Sequence, residues 1–479
     1  MHIGILKVAA VLEVEGYKVD FIDLSSVKNY LQVLGDYLSL SDGSTVFGMT
    51  ATTPQVPFAV ELAKYLSGSE KVDKLILGGP HVTLMNSASK REKRAGLDKS
   101  NRATKDIEKL SELFDVLVCG DGEYAIFEAL KMKKGTIDAD DKKSPLFLND
   151  EKLTSLPLPA RHLVDVESYH YSIDGVPATS LIAQLGCPFQ CTFCSGRNSP
   201  FLRNIRTRSV DSIVEEIEHL YLTYGMKGFM FYDDELNVSK EMINLMESII
   251  ALQEKHETSF KLRGFIKAEL FNDEQAEVMY RAGFRWILTG FESGDERILR
   301  NIRKRATRED NTRCVNIAKR HNLKVKALMS IGHAGESHES IQNTKKWLLE
   351  TKPDDFDCTI ITTYPGSPYF DNAVFVDDHY VYVDSKTGER LYQSQIDYLV
   401  DQDYYKGDPN GGYVSYVWTE HLSALQLVEE REKLEREVRE ELGIPFNPAR
   451  PGIVHEHSMG MGNVNIPDYI LRRTENIVN

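Results

Sequence analysis

Three cysteines stand close together near the middle of the chain, and their spacing is the strongest chemical feature of the sequence. Cys187, Cys191 and Cys194 follow one another as Cys-x3-Cys-x2-Cys. Thiolates are soft ligands that suit iron–sulfur clusters and zinc. Three thiolates on one short loop can each bind one iron of a cubane cluster and leave the fourth iron free for substrate. The spacing therefore predicts a cluster with one open coordination position.

Two other interpretations of the same loop stay open. A structural zinc site normally takes four protein ligands, often from a second Cys-x2-Cys or a His pair. No second pair follows, because Cys314 and Cys358 stand alone. A zinc-binding protein without catalysis is therefore a remote alternative. The other is a set of buried, unligated thiols, but half of the six cysteines in one loop is difficult to explain by packing.

Length and charge restrict the class of protein. The chain has 479 residues, which favours two or three domains. Its 57 basic and 72 acidic residues give a net charge of -15, which argues against a protein that binds nucleic acid through phosphate neutralisation. We see no signal peptide and no apolar run long enough to span a membrane. The six cysteines do not form a disulfide pattern, and a low-potential cluster needs a reducing compartment, so we expect a cytoplasmic protein.

Strands and helices alternate in the first part of the chain. Apolar segments at 19–22, 46–49, 74–77 and 116–119 predict strands, and glycine-rich turns follow the last two. This pattern predicts an α/β, Rossmann-like, doubly wound parallel sheet over residues 1–135. Ligands of such sheets bind at the carboxyl ends of the strands. Residues 86–106 are rich in charge, and we predict a solvent-exposed loop there.

The chain then repeats a strand, a loop and a helix six times, and this indicates a barrel. Predicted strands lie at 180–184, 228–232, 261–266, 286–291, 324–331 and 357–362. We predict a linker over 136–175, a partial (β/α)6 barrel over 176–370 and a small C-terminal region, 371–479, that caps the substrate pocket. Barrel sites gather at the carboxyl ends of the strands, and the cysteine loop follows the first predicted strand.

The cysteine spacing, with Phe193 directly before the last cysteine, resembles the radical SAM superfamily. The resemblance implies a [4Fe–4S] cluster on the three cysteines and S-adenosyl-L-methionine (SAM) on its open iron. It also implies reductive cleavage of SAM to a 5′-deoxyadenosyl radical. Motifs at the strand ends match the superfamily in order, and they imply SAM-binding residues at Phe193, Asp233, Asp234, Glu235, Arg263, Glu292 and Ser330. Lys267 is the alternative to Arg263 for the SAM carboxylate.

The first part of the chain resembles the cobalamin-binding domains of class B-like radical SAM enzymes. The similarity rests on the helix that begins near Gly4, on Gly78-Gly79-Pro80-His81 and on Gly120-x-Gly122-Glu123. It implies that cobalamin is bound by Thr50, Thr52, Gly78, Gly79, Gly120, Gly122 and Glu123. The chain departs from that family in two ways. The family's first strand has no counterpart before the first helix, and there is no Asp-x-His-x-x-Gly motif for a lower histidine ligand.

The resemblance implies a cobalamin-dependent radical SAM methyltransferase. Its substrate would be an unactivated carbon of a small molecule, such as a natural-product or lipid precursor, and no single catalytic side chain is assigned. The expected partners are that substrate and an electron donor such as flavodoxin or ferredoxin, with no nucleic acid. The alternative is a radical SAM cyclase or rearrangement enzyme without methyl transfer, in which the N-terminal domain does not bind cobalamin.

Overall fold

The chain folds into a parallel sheet, a half-barrel and a C-terminal antiparallel sheet. This is a computed structural model, and it describes residues 2–24, 29–41, 43–96, 102–169, 171–401, 413–445 and the backbone of 472–473. Both α/β parts are present, so the predicted fold class is confirmed. The domain boundaries stay a prediction.

The N-terminal sheet is parallel, and its strands follow one another in chain order. Its apolar residues alternate between two faces: Leu75 and Leu77 join one core cluster and Ile76 joins another. Such a sheet needs helices on both sides. The strands are β1 (Asp20–Phe21), which lies outside this sheet, β2 (Thr45–Thr50), β3 (Val72–Gly78), β4 (Val116–Cys119) and β5 (Gly135–Asp138). The helices are α1 (Ile3–Val14), α2 (Tyr30–Leu40), α3 (Val56–Leu66), α4 (Pro80–Arg94), α5 (Arg102–Leu113) and α6 (Gly122–Lys131).

Two local predictions in this region are wrong. The short strand expected at 19–22 is present as β1, but it pairs antiparallel with residues 472–473 (β19) and so lies outside the parallel sheet that it was expected to join. The charged segment 86–106 is largely helical where it is described. Ala88 of α4 and Ala103 of α5 are buried in the same apolar core cluster. The many charged residues around them made this apolar stripe difficult to recognise in the sequence. The Glu92 carboxylate also accepts the N–H groups of Ala103 and Thr104 and so caps α5.

The connecting segment joins the two α/β parts through buried charge. Arg206 donates to Asp121 Oδ2 at 2.5 Å, and both side chains are 2% exposed. Arg161 and Arg208 both pair with the buried Glu216. The elements here are α7 (Asp150–Ser155), β6 (Ser172–Ile173), β7 (Val176–Leu181), β8 (Gln184–Leu185), α8 (Pro200–Arg203) and β9 (Arg206–Thr207).

Six parallel strands, which neighbour one another in chain order from β7 onward, form the half-barrel, and β6 extends it as an antiparallel edge. The later strands are β10 (Gly228–Phe231), β11 (Lys261–Phe265), β12 (Phe284–Glu292), β13 (Lys324–Ile331) and β14 (Asp355–Ile360). All six were predicted from sequence within a few residues, because each is either a buried apolar run, as in β10, or an alternation of buried apolar residues with polar ones, as in β14. The helices are α9 (Val210–Tyr224), α10 (Met242–Lys255), α11 (Asp273–Ala282), α12 (Glu296–Asn301), α13 (Arg308–Arg320) and α14 (His338–Thr351).

The C-terminal region packs a small antiparallel sheet and one long helix onto the barrel. Leu427, Leu434 and Val438 bury one side of that helix in the barrel core. The elements are α15 (Pro368–Asp371), β15 (Val374–Val376), β16 (His379–Val383), β17 (Arg390–Gln393), β18 (Val417–Thr419) and α16 (Ala424–Leu442). Within the described residues, no helix is both long enough and apolar enough to cross a membrane.

Candidate active site

The cysteine loop starts directly after β8 and is fixed to the barrel at its first residues. The N–H of Gly186 donates to Asp234 Oδ2 at 2.7 Å, and the N–H of Cys187 donates to the Leu202 carbonyl at 2.9 Å. Gly186 has φ +89°, and a Cβ there would lie 1.9 Å from the carbonyl oxygen of Asn204. Only glycine tolerates both the backbone conformation and this approach. Gly186 therefore fixes the direction in which the loop leaves the barrel.

The three cysteine side chains differ in exposure but lie within electrostatic reach of one another. Cys191 is buried, Cys187 is half-buried and Cys194 is exposed. Surrounding protein raises the pKa of the Cys194 thiol, and the neighbouring thiols of Cys191 and Cys187 raise it further. The protons of these thiols must therefore leave when metal binds.

The donor chemistry of the three thiols fits a cluster. A single metal ion needs ligands that converge on one point. Among the residues that the structure describes, no three histidine, cysteine, aspartate or glutamate side chains are close enough to share one ion. In a cluster each thiolate binds a different iron. Three thiols spread along one loop are a donor set of that kind.

The two aspartates after β10 hold the backbone around the loop. Asp233 Oδ1 accepts the N–H groups of Ala183 and Gln184 at 2.8 and 3.2 Å. Asp234 accepts the N–H of Gly186, as described above. Burial raises the pKa of Asp233 to about 7, and its Oδ2 has no partner among the described residues. The geometry therefore gives both aspartates a positioning role, whether or not they also contact SAM.

Glu235 differs from these two aspartates, because its carboxylate makes no hydrogen bond to the described residues. Burial raises the pKa of Glu235 to about 7, while the ammonium groups of Lys304 and Lys267 act in the opposite direction. A carboxylate in this setting can accept a charge-assisted hydrogen bond from an incoming ammonium group. Of the three acids predicted to meet SAM, Glu235 is the one with neither carboxylate oxygen hydrogen-bonded to the described residues.

Glu292 and Ser330 lie together at the ends of β12 and β13. Ser330 Oγ donates to Glu292 Oε2 at 2.8 Å and contacts His333 Nε2 at 2.8 Å. Lys304 Nζ donates to Glu292 Oε1 at 3.1 Å. Burial alone would raise the pKa of Glu292, but the nearby Lys304 ammonium and the Ser330 hydroxyl lower it overall. The Phe193 ring lies 5.2 Å from the His333 ring, edge to face, which brings the cysteine loop against this network.

Arg263 and Lys267 occupy different places although only four residues separate them. Arg263 lies within β11, where its guanidinium is 5.3 Å from the Tyr171 ring centroid. Lys267 follows the strand, is 2% exposed, and its ammonium lies 4.6 Å from the ring centroid of Phe189 in the cysteine loop. Lys267 therefore contacts the cysteine loop.

Sequence reasoning assigned no role to Lys304 or His333. Lys304 lies in a segment with three nearby arginines, a pattern that usually indicates a solvent-exposed turn. In the structure both side chains are buried, at 5% and 0% exposure. Their burial depends on the packing of the barrel mouth, and no sequence signal identifies it.

The seven residues predicted to bind cobalamin line one cavity of about 1390 Å³. The same cavity reaches the barrel, where Ile182, Leu185 and Tyr232 form part of its wall. These three residues lie within a few positions of the cysteine loop and of Asp233. The cavity exceeds the 300–1,000 Å³ that is typical of small-ligand pockets. It therefore has room for a large cofactor beside the barrel mouth.

Two of the cavity's glycines serve the packing of the protein itself. Gly79 has φ +101°, and a Cβ there would lie 2.6 Å from Thr50 Oγ1. Gly120 has φ +91°, and a Cβ would lie 2.5 Å from the backbone of Ala139. These glycines allow turns of the sheet to approach one another. Packing within the protein is therefore enough to explain why these two positions are glycine, and their role in binding a ligand stays a prediction.

Buried charges lie on the wall of the cavity. Lys7 from α1 and Glu123 at the start of α6 are 5% and 8% exposed. Burial lowers the pKa of Lys7, and the Glu123 carboxylate partly opposes this effect. Burial also raises the pKa of Glu123, with the Asp121 charge acting in the same direction. Charged groups at such a wall favour a ligand with polar groups at its periphery.

The fold and the site together define a class of protein. A half-barrel carries a three-cysteine loop at the carboxyl end of its first strand, and buried acids and lysines surround that loop. A second α/β unit shares a large cavity with the barrel mouth. This architecture is that of a barrel enzyme that binds an iron–sulfur cluster.

Comparison with known proteins agrees with this class. Residues 181–348 match the sequence profile of the radical SAM superfamily. An uncharacterized methyltransferase of Pyrococcus horikoshii is 29% identical over 329 residues, which are 69% of this chain and 69% of that protein. The anaerobic magnesium-protoporphyrin IX monomethyl ester cyclase of Cereibacter sphaeroides is 24% identical over 343 residues, which are 68% of this chain and only 52% of that protein.

The fold also resembles a solved structure. The radical SAM methyltransferase TsrM from Kitasatospora setae, solved with cobalamin and a [4Fe–4S] cluster, superposes with a TM-score of 0.56. The two chains are 18% identical, and the match covers 76% of this chain and 73% of TsrM. At this identity the similarity shows a shared fold.

Residues 181–348 form a radical SAM domain. The protein is a radical SAM enzyme that uses a [4Fe–4S] cluster and SAM, as the sequence predicted. The individual residues assigned to SAM and to cobalamin stay predictions.

Proposed function

We propose that the protein is a cobalamin-dependent radical SAM methyltransferase that acts on an unactivated carbon of a small molecule. The observation that carries the proposal is the cavity of about 1390 Å³, which joins the seven predicted cobalamin residues to the barrel mouth. The similarity to TsrM, whose structure contains cobalamin, and to a protein named as a methyltransferase supports it.

The chain's own residues would hold the cofactors as follows. Cys187, Cys191 and Cys194 bind the cluster, which supplies the electron for reductive cleavage of SAM. Glu235 accepts from the SAM ammonium group, and the network of Glu292 and Ser330 presents a charged acceptor to hydroxyl groups. The residues that line the shared cavity would hold cobalamin, which would supply the methyl group.

The walls of the cavity would keep water away from the reacting groups. Apolar side chains of both α/β units line it, such as Ile76 and Val118 from the sheet and Ile182 from the barrel. Water exclusion protects reactive intermediates from side reactions.

The low reduction potential of such a cluster requires an external one-electron donor and a reducing cytoplasm. The substrate class, a natural-product or lipid precursor, belongs to the proposal.

A second candidate function is favoured by one comparison. The relative from Cereibacter sphaeroides is named as a cyclase. A cyclase or rearrangement enzyme would keep the cluster and SAM but transfer no methyl group.

The fate of the SAM methyl group distinguishes the two functions without knowledge of the substrate. Protein purified anaerobically and loaded with iron, sulfide and cobalamin is incubated with methyl-labelled SAM and a reductant. A methyltransferase places the label in the protein-bound corrin and releases S-adenosylhomocysteine. The cyclase alternative yields only methionine and 5′-deoxyadenosine, with no label in the corrin. Protein that retains no corrin at all would contradict the proposed function.

A further inference from the structure

Two arginines lie directly against the cysteine loop. Arg197 Nη2 donates to Gln190 Oε1 at 2.9 Å. Arg203 Nη2 donates to the Pro188 carbonyl at 2.8 Å, and its Nη1 donates to the carbonyl of Phe189. Both guanidinium groups therefore contact the stretch between the first two cysteines.

A third arginine reaches the other half of the loop. The carbonyl of Ile302 accepts the N–H of Thr192 at 2.9 Å, so the turn after α12 packs against the segment between Cys191 and Cys194. Arg303 follows in this turn with φ +54° and 31% of its side chain exposed. Its guanidinium lies 3.6 Å from the buried Asp384 carboxylate.

We call Arg197, Arg203 and Arg303 the arginine surface. Burial lowers the pKa of Arg197, and the positive charges of Arg303 and Arg203 lower it further, so the three groups lie within electrostatic reach. In the described part of the chain, neither Arg197 nor Arg203 has a carboxylate within salt-bridge distance. The surface is thus locally cationic in a protein of net charge -15.

The arginine surface is separate from the shared cavity. None of the three arginines is among the described residues that line that cavity. They contact the loop that would carry the cluster or the turn packed against it. A partner bound there would lie next to the cluster and would leave the shared cavity open.

We propose that the arginine surface docks an acidic one-electron carrier protein that reduces the cluster. This inference rests on the proposed function, because it needs a cluster that accepts an electron. The carrier's reduced cofactor loses one electron and the cluster gains it, with no bond made or broken. The net charge of -15 would repel an acidic carrier from the rest of the protein surface. The positive charge of the arginine surface would therefore set the orientation in which the carrier docks and the rate at which it associates.

The test compares two variants that each lose two positive charges. One is the double variant Arg197→Gln, Arg303→Gln, and the control is Arg281→Gln, Arg320→Gln. The control arginines lie on outer barrel helices, where they pair with Glu247 and Asp273 at about half exposure. Anaerobic stopped-flow absorbance follows cluster reduction by two reductants, reduced flavodoxin and the small cation of reduced methyl viologen.

We expect the second-order rate with flavodoxin to fall about tenfold or more in the first variant and to stay unchanged in the control. The rate with methyl viologen should not fall in either. The flavodoxin rate of the wild type should also drop steeply as salt is added. An unchanged flavodoxin rate in iron-loaded protein, or an equal loss with both reductants, would overturn the docking surface alone. Wild-type protein that takes up no iron would overturn the radical SAM function together with it.

Discussion

At the scale of single residues, the site depends on a few buried charges that lie close to the cysteine loop. Lys267 and Lys304 are the two buried ammonium groups there, and Glu235, Glu269 and Glu292 are their counter-charges. The charge set around a cluster is one of the factors that fix its reduction potential. The electrostatic setting is therefore built by residues outside the cysteine motif.

We predict that Lys267→Met makes the cluster harder to reduce. The Lys267 ammonium is 2% exposed and lies against Phe189 of the loop, so a fixed positive charge that stabilises the reduced state would be lost. The midpoint potential, measured by redox titration with electron paramagnetic resonance, should become more negative. Lys267→Arg keeps the charge and should leave the potential close to that of the wild type. Equal potentials in all three iron-loaded proteins would refute this role.

At the scale of elements, one glycine sets the path of the cysteine loop. Gly186→Ala should lose most of its iron, because a Cβ 1.9 Å from the Asn204 carbonyl oxygen must move the loop. Gly225→Ala is the matched control: it also has positive φ, at +64°, but its Cβ would meet nothing within 4 Å. The control should cost only about 1 kcal/mol of stability and keep its iron. The measurement is the number of irons bound per chain in each variant. Equal numbers in Gly186→Ala and Gly225→Ala would show that the loop tolerates the added methyl group.

Helix α5 carries a buried acid that makes stability depend on pH. Burial raises the pKa of Asp106 to about 7, and Asp397 acts in the same direction. An acid whose pKa is raised on folding binds its proton more tightly in the native state. The wild type should therefore lose stability as pH rises from about 4 through 7.

Asp106→Asn removes this penalty. We expect the variant to exceed the wild type at pH 8 by about 2–4 kcal/mol in the free energy of unfolding, with little difference at pH 4. Glu108→Gln, on the exposed side of the same helix, changes the charge equally and should show no such pH dependence. Thermal unfolding across pH 4–8 measures the stability of the wild type and of both variants. Parallel curves for wild type and Asp106→Asn would contradict the account.

The sequence predicts elements better than it predicts contacts. The six barrel strands and the cysteine loop were foreseen, because buried apolar runs and close cysteines are local patterns. The helices of 86–106 were missed, since Glu92 caps α5 from another helix and charge concealed the apolar stripe. Lys304 and His333 were missed for a similar reason: their burial follows from the meeting of distant segments.

At the scale of the whole molecule, two α/β units share one cavity and are joined by buried ion pairs. The pair of Arg206 and Asp121 connects the barrel side to the sheet side with 2% exposure at each end. Removal of one partner from such a pair leaves an uncompensated buried charge. The relative placement of the two units, and with it the shared cavity, depends on contacts of this kind.

Arg206→Met should therefore be strongly destabilising, by about 3–5 kcal/mol. Arg281→Met removes an ion pair with Glu247 in which both side chains are about half exposed, and it should cost less than about 1 kcal/mol. Urea unfolding of the two variants beside the wild type gives both values. Similar small losses in the two would mean that the buried pair does not couple the units.

The most direct test of the account is a count of cofactors per chain. Protein purified anaerobically with iron, sulfide and cobalamin supplied is analysed for metal and by its visible spectrum, beside Cys191→Ala. The account predicts about four irons and one corrin per wild-type chain, and loss of the iron with retention of the corrin in the variant. A wild type that holds no more iron than Cys191→Ala would contradict the cluster, and one that holds four irons without corrin would contradict the proposed methyl transfer.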